Sequence, residues 1–67
     1  MALLPHQIRV VAEKRELDER LQRLVVFMGT ATFAELPEAE RARMTRQRDV
    51  MTELSAVLGD RIDAFSA

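Results

Sequence analysis

The stretch from Pro5 to Met28, PHQIRVVAEKRELDERLQRLVVFM, constrains the chain more than any other. Val10, Leu17, Leu21, Leu24 and Met28 recur at spacings of 7, 4, 3 and 4, which puts them on one stripe of an α-helix, with Val11 and Val25 widening it. A stripe of that width needs an apolar partner. Pro5 suits a first helical turn, where its missing N–H leaves no bond unmade. Gly29 follows the last periodic residue, where a left-handed cap is usual. The spacing therefore predicts helix 1 over about 5–28. Gln7 and Lys14 share its seam, and a buried lysine is costly unless an anion meets it.

The connection over 29–36 carries Phe33 and Leu36, which are expected to fold back over the closed end of a hairpin. Pro37 opens helix 2, with Glu38 and Glu40 in the first turn, where the helix dipole favours negative charge. The pattern continues to about residue 64. Its expected seam is Met44, Gln47, Met51, Leu54, Leu58, Arg61 and Phe65, broadened by Val50, Val57 and Ile62. Gly59 interrupts this pattern at ~1 kcal/mol relative to alanine, and the helix is carried through it. The fold class expected is all-α, an antiparallel two-helix hairpin forming a single domain over 1–67. A chain this short buries only ~60% of its unfolded surface. It has no cysteine to staple it and no His/Cys cluster to hold a metal, so a helical homo-oligomer is expected.

Ten basic and eleven acidic residues leave a net charge of −1, which argues against a nucleic-acid binder resting on bulk positive charge, so no DNA partner is expected. Nine of the ten basic residues are arginine, whose fork of donors suits a bidentate grip on phosphate or carboxylate. The longest apolar run, Leu24 to Met28, is far below the ~20 residues of a membrane span. Met1 to Leu4 lacks the basic start of a signal peptide, so a cytosolic protein with no membrane partner is expected. A lone histidine, His6, builds no catalytic dyad, and the two isolated glycines make no phosphate loop. Neither an enzymatic activity nor a cofactor is expected. Arg41, Arg43, Arg46 and Arg48 spread around helix 2 and read as a solvated face balanced by Glu38, Glu40 and Asp49 of a neighbouring subunit. Lys14 and Arg61 interrupt apolar stripes, so they either meet an anion or extend to the hairpin rim. An antiparallel register brings Lys14 level with Leu58 and Gln7 level with Arg61 to Phe65. His6, Gln7, Arg9, Lys14, Asp60 and Arg61 are then expected together at the open end.

Several marks fall in a fixed order: HQIRV at His6 to Val10, Glu13 with Glu16 to Asp18, Leu24 with Phe27, Phe33 with Leu36 and Glu40, Gln47 with Met51, and Leu58 with Arg61 and Ile62. In this order the chain resembles, from His6 to Ile62, the phage helical-hairpin family shared by anti-CBASS and anti-Thoeris signal sponges. The resemblance implies a homohexamer that traps cyclic di- or trinucleotides between subunits in the cytoplasm of an infected bacterial host, with no chemistry done on the ligand. Arg20 and Arg61 best match the family's phosphate-contacting positions. Leu54 stands where the family often has tyrosine, and Pro5 and His6 stand where an aromatic stacks on a base. On this reading the candidate ligand-binding residues are His6, Arg9, Lys14, Arg20, Arg23 and Arg61.

Overall fold

The computed structural model describes residues 2–66. The chain forms α1 (Pro5–Met28), a one-turn α2 (Ala31–Ala34) and α3 (Glu38–Asp63), and ends in a 3₁₀ turn over Ala64–Ser66. Every element among the described residues is helical. Pro5 opens α1 as the first helical residue, and the Leu4 N–H ahead of it donates to Gln7 Oε1 at 2.8 Å. Gln7 thus spends its carbonyl on a backbone donor that the helix itself cannot satisfy.

The end of α1 differs from expectation. Gly29 has φ −89°, so the left-handed cap is not formed. Thr30 does that work instead. Its hydroxyl donates to the Phe27 carbonyl at 2.6 Å and accepts from the Phe33 N–H at 3.2 Å, closing α1 and opening α2 with one side chain. The expected loop over 29–36 therefore contains a helical turn. That turn sets the Phe33 ring edge-on to Phe27, with centroids 6.1 Å apart and planes at 86°. Phe33 plugs the closed end as anticipated.

α3 runs unbroken through Gly59. Its direction against α1 follows from two sets of neighbours. Lys14 and Asp18 both bond Ser55, while Leu3, Leu4 and Gln7 line one cavity with Ile62 and Phe65. Moving back along α1 moves forward along α3, so the helices are antiparallel, in a rod of 50 × 14 × 14 Å. The buried core is Val10, Leu17 and Leu58, with Met51, Ile62 and Phe65 packed against it.

The buried and half-buried seam of α1 is Gln7, Val10, Lys14, Leu17, Leu21, Leu24 and Met28, spaced alternately three and four residues apart. The seam of α3 is Met44, Arg48, Met51, Ser55, Leu58, Ile62 and Phe65. This corrects the expected stripe: Gln47, Leu54 and Arg61 are exposed, and Arg48, Ser55 and Ile62 take their places. Met44, Met51, Leu58 and Phe65 belong to both stripes. At ~100° per residue the two differ by a rotation of roughly 50° about the α3 axis. The rotation observed leaves Val50, Leu54 and Val57 uncovered, at 60%, 41% and 44% exposure. No helix of the described residues is long and apolar enough to cross a membrane.

Candidate functional site

Lys14 answers the question raised by its place in the seam. Its Nζ donates to Asp18 Oδ2 at 2.8 Å and to Ser55 Oγ at 3.0 Å, and the Ser55 hydroxyl donates to Asp18 Oδ1 at 2.5 Å. Three side chains from two helices close a ring. Asp18 and Lys14 lie one turn apart on α1, and Ser55 arrives from α3. The hydrogen bond from Lys14, then that from Ser55, hold the Asp18 carboxyl below its ordinary range, against a smaller upward push from desolvation. A Cβ built at Gly59 would lie 3.4 Å from Lys14 Cε, an ordinary contact, so α3 passes the lysine stem closely at this residue. The anion that meets Lys14 is supplied by the chain itself.

The other candidate residues, His6, Arg9, Arg20, Arg23 and Arg61, are exposed. The ion pairs among the described residues are Lys14–Asp18, Arg43–Glu40 and Arg48–Asp49, so none of these five residues takes part in one. Within the arginine run at the start of α3, Arg43 pairs with Glu40 and Arg48 with Asp49. Arg41 instead donates its Nε to the Leu36 carbonyl at 3.1 Å, tying α3 to the connection.

Helical spacing divides the cations between faces. His6, Glu13 and Arg20 form a seven-residue column on the flank of α1 away from Asp18, and Arg9 and Arg23 lie further round. On α3 the flank away from Ser55 carries Gln47, Val50, Leu54, Val57 and Arg61. Because the helices are antiparallel, these two flanks share one face of the rod. Arg20 and Arg61 therefore border the same uncovered apolar stripe. Lys14 sits on the opposite side, bonded within the seam, and so does not join the open-end cluster expected for it. Arg61 is level with about residue 11 of α1, some nine residues from Arg20, or ~13 Å along the axis at 1.5 Å per residue. One chain alone does not bring their guanidinium groups onto adjacent phosphates.

The open end holds a cavity of ≈ 580 Å³ lined by Ala2, Leu3, Leu4, Gln7, Ile62, Phe65 and Ser66. Its lining is mostly apolar, and among the described residues no lysine or arginine lines it. Of the residues that organise these surfaces, sequence reasoning missed Ser55. Ser55 stands between Arg48 and Ile62 at heptad spacing, so no repeat along α3 marks it.

The fold and its charged face define a small all-helical hairpin protein whose outer surface joins an uncovered apolar stripe to arginines free of ion pairs. The family model described as Sequestin matches residues 4–64, and the chain belongs to the Sequestin family. No curated protein and no solved structure matches it.

Proposed function

We propose that this protein is a phage anti-defence sponge that binds and sequesters cyclic di- or trinucleotide second messengers of bacterial CBASS or Thoeris immunity without degrading them. The observation that carries the reading is the shared face, on which Arg20 and Arg61 flank Val50, Leu54 and Val57. The apolar stripe favours covering by a second copy, because a rod with three buried apolar residues among those described has little core of its own. Assembly then repeats each arginine around a symmetry axis and brings copies from different chains within reach of one ligand. A cyclic oligonucleotide offers two or three phosphates, which suit such a ring of guanidinium groups through charge-assisted, bidentate hydrogen bonds. A homohexamer is the assembly that the resemblance implies. The site of action is the cytoplasm of the infected bacterial host. The family name, which speaks of sequestration, supports holding the ligand rather than converting it.

The test is calorimetric titration with a panel of cyclic di- and trinucleotides. Arg61→Ala and Arg20→Ala should each weaken binding by ~1.5 to 3 kcal/mol, the scale of a hydrogen bond to a charged group, while light scattering shows an unchanged assembly. The uncovered stripe also fits a second reading, a scaffold that docks on another protein and takes no small ligand. Absence of binding by the parent protein, or unchanged affinity in both variants, favours that scaffold.

A further inference from the structure

α3 carries two overlapping seams. The stripe in use contributes Arg48, Ser55 and Ile62 between its shared positions, and the unused one would contribute Gln47, Leu54 and Arg61. Each set holds one large apolar residue and two polar ones, so burial of Ile62 in one rotation and of Leu54 in the other is close to a tie. Apolar packing alone does not choose between two arrangements some 50° apart. A polar group in a helical seam makes such a choice when one arrangement gives it partners and the other does not.

Lys14 is that group. In the rotation observed, Ser55 faces it at 3.0 Å and also bonds Asp18, while the lysine stem passes beside Gly59. Turning α3 to bury Leu54 would carry Ser55 outward and bring Arg61 toward the seam. Lys14 would lose its partner on α3, and a second cation would approach the same interface. We propose that the Lys14–Asp18–Ser55 ring is a rotational lock on α3, holding Val50, Leu54, Val57 and Arg61 outward as a docking and ligand surface. Lys14 is then a positioning residue and makes no contact with the ligand. The lock itself rests on side-chain geometry within one chain. Only its consequence for docking rests on the sponge reading.

The chain has no cysteine, so disulfide mapping reads the rotation directly. Val10, in the core of α1, is changed to Cys together with Ile62→Cys in one protein and with Arg61→Cys in another. In the parent background the Val10/Ile62 pair should oxidise much faster than the Val10/Arg61 pair. Lys14→Met and Ser55→Ala should each shift that ratio toward the Arg61 pair by roughly tenfold, the population change expected from losing one polar contact to a charged group. Lys14→Arg, which keeps donors for Asp18 and Ser55, should restore it. Lys14→Met replaces a paired charge by an apolar side chain of similar length, a change that helical seams tolerate. Ser55→Ala removes a hydroxyl alone and supplies an independent arm. A residue serving only to stabilise the hairpin would lower the melting temperature without moving the ratio. An unchanged ratio in both variants, or a parent in which the two pairs oxidise equally, overturns the lock. Light scattering on the same variants separates the two claims. A shifted ratio with unchanged mass keeps the lock and removes its role in docking, whereas a shifted ratio with loss of the assembly supports both.

Discussion

Leu58→Ala is the most direct test of where this fold keeps its stability. Leu58 is 1% exposed, the most deeply buried side chain described, and it sits between Val10 and Leu17 in the core cluster. Truncating a buried leucine costs ~2 to 5 kcal/mol, with the upper part reached when neighbours cannot collapse into the space. Here the long helices on either side limit collapse, so ~3 kcal/mol is expected. A chain of this length holds only ~3 to 10 kcal/mol in all, and the loss is therefore a third of its stability or more. With a urea m-value near the low end for small proteins, ~1 kcal/mol/M, the midpoint should fall by ~3 M. The measurement is urea unfolding followed by far-ultraviolet circular dichroism at fixed protein concentration, since assembly makes apparent stability concentration-dependent. Leu54→Ala is the control. If a second copy covers Leu54, its loss grows as protein concentration rises, whereas the loss at Leu58 does not. A midpoint within ~0.5 M of the parent for Leu58→Ala, with an unchanged slope, would refute the assignment of the core.

Two further outcomes follow from the polar ring and its glycine. Gly59→Ala places a methyl in ordinary contact, 3.4 Å from Lys14 Cε, and should stabilise α3 by up to ~1 kcal/mol through helix propensity, seen as a raised melting temperature with unchanged mass. Asp18 has its carboxyl held low by Lys14 and Ser55. Its contribution is therefore fully present above the unfolded aspartate value of ~3.9 and is lost as pH falls below it through the depressed folded value. The difference in stability between the parent and Asp18→Asn should be flat from neutral pH down to mild acid and shrink only below that. A difference that changes between neutral pH and mild acid would contradict this.

The hairpin was legible because its strongest signals are periodic and local. Pro5, the stripe from Val10 to Met28 and the acidic first turn of α3 each act within a few residues, and each is realised. The closed end was legible in part. Phe33 was recognisable as a plug, but the threonine that caps two helices at once was hidden behind the more conspicuous Gly29. The rotation of α3 was the least legible feature. Two seams with four residues in common score alike on apolar content, and Leu54 made the wrong one more attractive. The deciding contact, Lys14 with Ser55, joins residues far apart in sequence, and no pattern within either helix reports it. The same limit applies to the candidate site. Arg20 and Arg61 could be chosen as cations, but their shared face follows only from the pairing of the helices.

The rod shape has a consequence for how the chain folds and breathes. Met28 and Met44, the last seam residue before the connection and the first after it, are joined by a short loop, whereas Gln7 meets Phe65 only after nearly the whole chain has been ordered. Closure entropy rises with loop length, so the hairpin should zip from the Phe27–Phe33 end toward the termini. It should fray in the reverse order, since local opening begins where backbone bonds are least covered. Backbone amides near His6 and Arg61 should then exchange with solvent sooner than those around Leu21 and Met51. A ligand gripped by Arg61 would close the zipper from its loose end, slowing exchange along both helices with little change in their mean positions.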